Sequence, residues 1–275
     1  MDAPTTSTPA VNPGLWLPAM TLCRRELVRF FRQRGRVIGA LGTPLVFWLL
    51  IGSGMGTSFR PAGAATGSHY RDYFFAGTAM LIVLFTAIFC TISIIEDRRE
   101  GFLQGVLVAP VPRASIVLGK VLGGAAIAFL HGVFFLALAP LTGSHAGVGQ
   151  LATAAGVLFL SAFGLTGLGF CFAWRVDSVQ GFHAVMNLVL MPMWLLSGAL
   201  FPPGGAPAWL QMVMRLNPLT YNLAALRFAL GEGTASSGPG GPDAMTAWVV
   251  TAGFGLAMLG LAARMVGRAP KGGAA

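Results

Sequence analysis

Charge is scarce in this chain, because 10% of its 275 residues are charged whereas 55% are hydrophobic. A composition this apolar leaves too little polar surface to cover one water-soluble globule. Cysteine is also scarce, and the spacing of Cys23, Cys90 and Cys171 fits neither a disulfide framework nor a zinc site. The sequence therefore predicts an integral membrane protein with reduced, packed cysteines.

Motifs for nucleotide binding and hydrolysis are missing as well. The sequence has no glycine-rich loop ending in Gly-Lys-Ser or Gly-Lys-Thr, so we do not expect the chain itself to bind ATP. It also lacks a Gly-x-Ser-Gly-like nucleophile, a His-Glu-x-x-His metal motif and paired aspartates within an apolar run. We predict no catalytic, cofactor-binding or metal site here, and no enzyme activity.

Six apolar runs have the length of roughly 20 residues that a helix needs to cross a bilayer. Pro44 and Pro192 interrupt the first and fifth runs and predict kinks. We expect an all-α membrane protein with a transmembrane domain at residues 37–268, a disordered tail at 1–20 and a second tail at 269–275. The predicted spans are residues 37–59, 74–95, 116–141, 151–174, 181–201 and 244–266.

Lysine and arginine are unevenly divided between the two sides that six crossings define. Fourteen lie on the side of the termini, and the other side has only Arg60, Arg71, Arg215 and Arg227. The positive-inside rule therefore predicts cytoplasmic termini and a multi-pass protein of the cell membrane. The net charge of +9 indicates topology and contact with anionic lipid rather than binding of nucleic acid.

Residues 21–36 combine arginines with apolar side chains at near-helical spacing. Leu22, Leu27, Phe30 and Phe31 predict an amphipathic helix with its apolar side in the lipid and its guanidinium groups toward lipid phosphate. A basic flank with no special role is the alternative.

Residues 96–113 contain a charge cluster and then a short amphipathic helix. The charges of residues 96–100 are expected in water, and Phe102, Leu103, Val106 and Leu107 form an apolar stripe. Pro110 and Pro112 end the helix. The stripe has the pattern that fills a groove in a soluble partner, and an ordinary interfacial loop is the alternative.

Residues 202–231 predict an external hairpin of two half-length helices at 209–215 and 219–230. We hypothesise that it re-enters the outer leaflet as a gate, with Trp209 and Tyr221 as interface anchors around the Asn217-Pro218 break.

Five further side chains are candidates to line a hydrophobic pathway, although packing inside the bundle is the alternative for each. They are Phe47, Trp48, His131, Met191 and Trp194. For His131, the alternative is a neutral ring that is hydrogen-bonded to a neighbouring helix.

Two segments carry a family resemblance. REGFLQGVLVAPVPRASIVLGK, residues 99–120, and SGALFPPGGAPAWLQMVMRLNPLTYNLAALR, residues 197–227, resemble segments of ABC-2 type transporter permeases, especially those associated with drug, nodulation-factor and polysaccharide export. The resemblance implies an export permease for a hydrophobic or amphiphilic substrate such as a drug-like molecule, a lipid or a glycan.

It also implies a homodimer of permeases that pairs with a separate cytoplasmic ATP-binding subunit, which would bind ATP and Mg²⁺. The segment after the second span would then be the coupling helix that contacts this ATPase. The residues it would use are Glu100, Gly101, Phe102, Leu103, Val106, Leu107 and Pro110. An ion-coupled secondary transporter and a non-transporting membrane scaffold remain the alternatives.

Overall fold

The computed structural model describes residues 14–55, 70–142, 146–232 and 241–268. Within these residues the chain forms α-helices and short helical turns, and it has no strand. The α-helices are α1 (Trp16–Arg32), α2 (Arg34–Met55), α3 (Tyr70–Arg99), α4 (Phe102–Val108), α5 (Arg113–Leu136), α6 (Val148–Arg175), α7 (Val179–Trp194), α8 (Ala208–Leu216), α9 (Pro218–Ala229) and α10 (Ala244–Gly267).

Six helices in the described residues are long and apolar enough to cross a membrane, which confirms the predicted all-α fold with six membrane helices. They are α2, α3, α5, α6, α10 and the helix that continues from α7 to Ala199. Several helix ends differ from the predicted spans. For example, α3 runs from Tyr70 to Arg99, whereas the predicted span was residues 74–95. Residues 1–13, 56–59 and 269–275 of the predicted segments lie outside the described residues.

The helix α3 passes through the centre of the bundle, with 89% of its most apolar window buried against other helices. By contrast, α2 and α10 each have 22% of that window buried. Because an apolar helix surface that no protein covers is stable only in lipid, α2 and α10 lie at the lipid-facing rim. From this central position α3 contacts α1, α2, α4, α5, α6, α7 and α9.

The N-terminal helix α1 packs directly on α5, and glycines make the close approach possible. A Cβ atom on Gly119 would lie 2.7 Å from the Ala19 carbonyl oxygen, and one on Gly123 would lie 2.8 Å from Glu26 Cβ. The spacing of Gly119 and Gly123 is the small-residue seam by which membrane helices approach each other.

This packing corrects the expected orientation of α1. Leu22 and Phe30 are only 7% and 4% exposed, so much of the apolar side of α1 faces protein rather than lipid. Phe31 does remain exposed, as do Leu17 and Met20. The helix also starts at Trp16, so residues 16–20, which were expected in the tail, belong to α1.

The fifth membrane helix is interrupted at Gly198 rather than at Pro192. The α-helix α7 contains Pro192 and continues to Trp194, and a π-helical turn then spans Leu195–Ala199. Gly198 has φ of 87°, a left-handed conformation that glycine adopts without steric cost. Pro44 likewise lies inside the continuous helix α2.

The two short helices α8 and α9 have the positions that the sequence indicated, and only Asn217 lies between them. Pro218 is the first residue of α9, where its fixed φ suits the helix and its missing N–H is not needed. The Asn217 side chain accepts a hydrogen bond from the Leu219 N–H at 3.0 Å, as a helix N-cap does. Asn217 therefore specifies the turn between the two helices.

Candidate functional site

The short helix α4 presents its apolar stripe to the bundle. Leu103 is 4% exposed, and Phe102, Val106 and Leu107 pack against the main core. The predicted orientation of this stripe toward a soluble partner is therefore wrong for Leu103 and for most of the surface of the other three side chains. The physical reason is that α4 follows α3 after a single left-handed residue, Gly101 with φ of 76°, which folds the helix back against the bundle.

The opposite side of α4 is the free one. Val108 is 80% exposed, and Gln104, Gly105 and Pro110 are also exposed. Glu100, just before the helix, has a side chain that is 60% exposed. We call this surface the α4 outer face, and it is defined by Glu100, Gln104, Gly105, Val108 and Pro110. Only Glu100 and Pro110 of the predicted coupling residues belong to it.

A buried ion cluster lies beneath α4. The Lys120 ammonium on α5 donates to Glu26 Oε1 of α1 at 2.6 Å and to the Asp97 carboxylate at the end of α3. It also contacts the Ser93 hydroxyl at 3.2 Å. Lys120 and Glu26 are each 5% exposed, and Asp97 is 0% exposed. Buried charges of this kind persist only when they are paired and hydrogen-bonded.

Two arginines of α1 complete the cluster. Arg25 donates to both oxygens of Asp97, at 2.9 and 2.7 Å, in the bidentate geometry that suits a carboxylate. Hydrogen bonding to Asp97 raises the pKa of the Arg25 guanidinium above its ordinary value. Arg29 donates to Asp97 at 2.8 Å and to Glu96 at 2.8 Å. We call these residues the ion cluster: Arg25, Glu26, Arg29, Glu96, Asp97 and Lys120.

The ion cluster is linked to α4 through an aromatic contact. The Arg25 guanidinium carbon lies 3.8 Å from the centre of the Phe102 ring, a cation–π distance. Arg25 thus touches the end of α3 and the start of α4 at the same time. As a result, α1, α3, α4 and α5 are held together by charged and aromatic contacts at one end of the bundle.

Sequence reasoning missed this cluster. It expected residues 96–100 to lie in water, but Asp97 is fully buried because charges on α1 and α5 compensate it. One signal was available, namely that Lys120 falls within the predicted run of residues 116–141, where an ionisable side chain needs a partner. The partner on α1 could not be deduced, since it is 94 residues away along the chain.

Two more arginines at this end cap helix C-termini. Arg98 donates to the Trp174 carbonyl oxygen at 2.7 Å at the end of α6 and to Asp177 at 2.9 Å. Arg113 donates to the carbonyl oxygens of Val266 and Gly267 at the end of α10, at 3.1 and 3.2 Å. Cations are favourable at these positions because the last carbonyl groups of a helix carry partial negative charge. The same end of the bundle therefore gathers much of the chain's basic charge.

A lateral groove of about 380 Å³ lies between the end of α1 and the helices α2, α3 and α7. Three of the predicted pathway residues line it, namely Phe47, Met191 and Trp194. The Trp194 indole N–H donates to the Gly77 carbonyl oxygen at 2.9 Å, so its ring is fixed in place.

The other two predicted pathway residues do not line this groove. Trp48 is 4% exposed and packs edge-on against Phe75 and Phe135, with ring centres 5.9 and 5.6 Å apart. His131 is 4% exposed and lies 5.4 Å from the Phe30 ring. The structure thus places both in the packed interior, which was the alternative for Trp48. For His131 the predicted hydrogen bond to a neighbouring helix stays a prediction, since its Nδ1 atom has no hydrogen-bond partner among the described residues.

At the other end of the bundle, the predicted gate residues have distinct surroundings. Trp209 is 68% exposed, whereas Asn217 is 8% exposed and donates to the Met193 carbonyl oxygen at 2.6 Å. The Tyr221 hydroxyl donates to the Arg215 carbonyl oxygen at 2.8 Å. Trp209 therefore has the exposure an interface anchor needs, while Asn217 joins the α8–α9 turn to α7.

Arg227 is a functional candidate at this end that sequence reasoning left among the external charges. It is 2% exposed, donates to the Gly198 carbonyl oxygen at 3.1 Å and lies 4.1 Å from the centre of the Tyr73 ring. The Tyr73 hydroxyl donates to the same carbonyl at 2.7 Å. These contacts hold the break in the fifth membrane helix against α3 and α9.

Metal chemistry has no candidate site in the part of the chain that the structure describes. No group of three or more His, Cys, Asp or Glu side chains is arranged there to hold an ion. The candidate site is made up of the α4 outer face, the ion cluster and the groove.

Comparison with known proteins identifies the family. The family model described as ABC-2 type transporter matches residues 19–230, which include most of α1, the ion cluster, α4 and the α8–α9 hairpin. The chain belongs to the ABC-2 type transporter family. This confirms the resemblance drawn from residues 99–120 and 197–227.

Relatives of this ABC-2 chain include named permeases and nodulation proteins. It is 28% identical to transport permease ycf38 of Cyanophora paradoxa over 75% of this chain and 72% of that protein. It is 28% identical to Nodulation protein J of Rhizobium meliloti (strain 1021), over 70% of this chain and 72% of the relative. It is 27% identical to Nodulation protein J of Rhizobium leguminosarum bv. trifolii, over 78% of this chain and 82% of the relative. The chain is accordingly a membrane transport permease with multiple membrane helices.

Proposed function

We propose that this chain is the permease subunit of an ABC exporter that moves a hydrophobic or amphiphilic substrate out of the cytoplasm. A drug-like molecule, a lipid and a glycan are the candidate substrates. ATP and Mg²⁺ bind to a separate cytoplasmic ATP-binding subunit, and two copies of the permease form the pathway. Both termini and the α4 outer face lie on the cytoplasmic side of the cell membrane.

The observation that carries this proposal is the combination of the free α4 outer face with the ion cluster beneath it. Val108 is 80% exposed on one side of α4, whereas Leu103 on the other side is 4% exposed. A partner that displaces α4 would therefore also displace the end of α3, because Arg25 contacts both Phe102 and Asp97. Since α3 lines the groove between α2, α3 and α7, its displacement would change the shape of that groove.

The distribution of basic charge supports the orientation. Arg98 and Arg113 cap helix ends on the same side as α4, together with the arginines of α1. The positive-inside rule assigns this side to the cytoplasm, where an ATP-binding subunit has access to ATP.

Ion coupling is a second candidate, and a specific observation favours it. Glu26, Asp97 and Lys120 are ionisable groups buried in or beside membrane helices, as in proteins driven by an ion gradient. However, every one of these charges has a partner of opposite sign within 2.9 Å. A fully paired network favours a structural role over proton transfer.

Transport in inverted membrane vesicles distinguishes these functions. We expect vesicles containing the permease and its co-expressed ATP-binding subunit to accumulate a fluorescent amphiphile when ATP and Mg²⁺ are added. Accumulation should persist when an ionophore collapses the ion gradients and should stop when the Walker-motif lysine of the ATP-binding subunit is replaced. Accumulation that follows the ion gradient and ignores ATP would reject the proposal in favour of ion coupling. No accumulation of any drug-like, lipid or glycan substrate with an active ATPase would favour a scaffold.

A further inference from the structure

A hollow of about 310 Å³ opens at the end of the bundle that carries the α8–α9 hairpin. It lies between α8, the start of α9 and the start of α10, and we call it the hairpin hollow. Its polar lining residues are Gln211, Arg215, Thr220, Tyr221 and Thr246. The volume is near the lower end of the roughly 300–1,000 Å³ that small-molecule sites occupy, so the hollow suits a headgroup rather than a whole amphiphile.

The positive charge of the hairpin hollow comes from Arg215, and no Asp or Glu lines the hollow within the described ranges. The hydroxyl groups of Thr220, Tyr221 and Thr246 already donate to other protein groups, at distances of 2.7, 2.8 and 2.6 Å. By contrast, the exposed Arg215 guanidinium group has no ion pair or hydrogen bond with any residue that the structure describes. Arg215 is therefore the donor in this hollow that is available to an anionic ligand.

The carboxylate of Asp243, which follows the lining residue Pro242 in the chain, is engaged elsewhere. It accepts hydrogen bonds from the Thr246 N–H at 3.1 Å and from the Thr246 hydroxyl at 2.6 Å, as the N-cap of α10. A carboxylate at this position is stabilised by the partial positive charge of the helix N-terminus. It therefore does not pair with Arg215, and the hollow keeps its positive charge.

The opposite face of α8 indicates how deep the hairpin hollow lies in the membrane. Four apolar side chains at positions i, i+3, i+4 and i+7 form that face, and all four are exposed: Trp209, Met212, Val213 and Leu216. A helix with one apolar and one polar face lies in the membrane interface with its apolar side toward the acyl chains. Because Gln211 and Arg215 are on the polar face of α8, the hollow lies at the level of the lipid headgroups.

We propose that the hairpin hollow binds the phosphate-bearing headgroup of an anionic lipid in the leaflet on the α8–α9 side of the membrane. The phosphate accepts hydrogen bonds from the Arg215 guanidinium group, and the acyl chains lie in the leaflet beside the apolar face of α8. A guanidinium group suits this anion because two of its N–H groups can bind two phosphate oxygens at once. This site goes beyond the proposed export function, because headgroup binding requires neither ATP nor movement of a substrate across the membrane.

The position of the hollow favours a lipid over a soluble anion as the ligand. A soluble anion would use only Arg215, whereas a lipid also places its acyl chains against the exposed apolar side chains of α8. A zwitterionic lipid would supply the acyl chains, but its own cationic group would offset the attraction to Arg215. An anionic lipid matches both features, since each basic side chain near an anionic membrane surface contributes about fivefold in affinity.

Native mass spectrometry of the purified full-length permease with phosphatidylglycerol or phosphatidylcholine tests the role of Arg215. We expect the wild type to prefer phosphatidylglycerol and Arg215→Gln to weaken that binding about fivefold, with phosphatidylcholine binding unchanged. Arg215→Lys retains the charge, so its binding should be closer to that of the wild type. Arg268→Gln is the matched control, because Arg268 is also exposed at a helix end but lies at the end of α10 away from the hollow. Equal affinity of the wild type for the two lipids, or equal effects of R215Q and R268Q, would overturn the proposal.

Glycerol phosphate carries the same kind of anion without acyl chains, so it distinguishes a lipid headgroup from a soluble anion. We expect the wild type to bind it at least about tenfold more weakly than phosphatidylglycerol, because it buries no acyl surface. Equally tight binding of the two compounds would assign the hollow to soluble anions and overturn the proposal. Thermal midpoints of R215Q and R215K are measured alongside, so that a folding defect is recognised. A folded R215Q protein with undiminished phosphatidylglycerol binding would also overturn it.

Discussion

At the scale of single residues, the buried Lys120 ammonium depends on its neighbours for charge compensation. Its ammonium lies between Glu26 and Asp97 and is 5% exposed. Such a charge is costly to bury, and it is tolerated because two carboxylates and the Ser93 hydroxyl replace its water. Removing the ammonium leaves those carboxylates with only the guanidinium groups of Arg25 and Arg29. The position of α1 against α3 therefore depends on a side chain of α5.

Substitution Lys120→Met should destabilise the permease by about 3 kcal/mol, because it leaves buried carboxylate charge less compensated. We expect a lower thermal midpoint in detergent, measured by the amount of monodisperse protein after heating. The double variant Lys120→Met with Asp97→Asn removes one charge of each sign, so it should be more stable than K120M alone.

Arg268→Met serves as the control, since Arg268 is exposed at the end of α10 and should tolerate the change. If the double variant were as unstable as the sum of the two single variants, the two side chains would not form the coupled pair described here.

The sequence reveals these residues only in part. The basic side of the protein follows from counting lysine and arginine, because that count needs no contacts. The burial of Asp97 does not follow, because it depends on Arg25 and Lys120, which are 72 and 23 residues away. The prediction that Trp48 lines a pathway failed for the same kind of reason. Its contacts with Phe75 and Phe135 lie between helices and cannot be deduced from the spacing of residues within one helix.

At the scale of elements, the seam between α1 and α5 holds the amphipathic helix in place. Gly119 and Gly123 bring the α5 backbone close to Ala19 and Glu26 of α1. Cys23 lies beside this seam, since its Cα would be 3.4 Å from a Cβ on Gly123. Burial, together with the nearby charge of Glu26, raises the pKa of the Cys23 thiol. Less thiolate is then present at neutral pH, so Cys23 should react slowly with maleimide.

Substitution Gly119→Ala should loosen α1, because its methyl group would meet the Ala19 carbonyl oxygen at 2.7 Å. We expect a cost of about 1–3 kcal/mol, as for other overpacked sites. Labelling of Cys23 should become faster, and its pH profile should shift to lower pH as the pKa returns toward its ordinary value. The experiment uses a protein in which Cys90 and Cys171 are replaced by alanine.

The matched control is Gly156→Ala on α6, where a Cβ meets no atom within 4 Å. Unchanged Cys23 labelling in a folded G119A protein would argue against the seam as the element that holds α1.

The turn between α8 and α9 depends on the two hydrogen bonds of the Asn217 side chain. Asn217→Ala removes the acceptor for the Leu219 N–H and the donor to the Met193 carbonyl oxygen. We expect a loss of about 2 kcal/mol, with about half from the cap and half from the second bond. Asn217→Ser retains a cap but cannot reach Met193, so its thermal midpoint should fall between those of N217A and the wild type. Identical midpoints for N217S and N217A would mean that the cap contributes nothing.

At the scale of the whole molecule, the bundle has two chemically different ends. One carries α4, the ion cluster and the arginines that cap α6 and α10, and the other carries the α8–α9 hairpin and Arg227. The six membrane helices and both short helices of the hairpin follow from apolar length and from the Asn217-Pro218 break. The contacts that join α1 and α4 to the bundle could not be predicted, because both helices have apolar stripes that suit lipid, a partner or the bundle equally well.

Cysteine labelling tests which end is cytoplasmic. In a protein without its native cysteines, Val108→Cys and Leu216→Cys form a matched pair, because both side chains are 80% exposed and lie at opposite ends. We expect a membrane-impermeant maleimide added to intact cells to label L216C and not V108C. In inverted vesicles the result should reverse. Asn217 is unsuitable for this test because it is 8% exposed. Labelling of V108C from outside would invert the proposed topology.

The most direct test of the account is ATP hydrolysis by the purified complex of this permease with its ATP-binding subunit, compared between Val108→Asp and Val148→Asp. Both valines are highly exposed, at 80% and 86%, but Val108 is on the α4 outer face and Val148 begins α6 at the opposite end. We predict that V108D lowers permease-stimulated hydrolysis and ATP-dependent transport at least about tenfold, since it buries an unpaired charge in the contact with the partner. V148D should leave both unchanged. Equal activity of V108D and wild type, with the complex intact, would contradict the claim that the partner drives the bundle through α4.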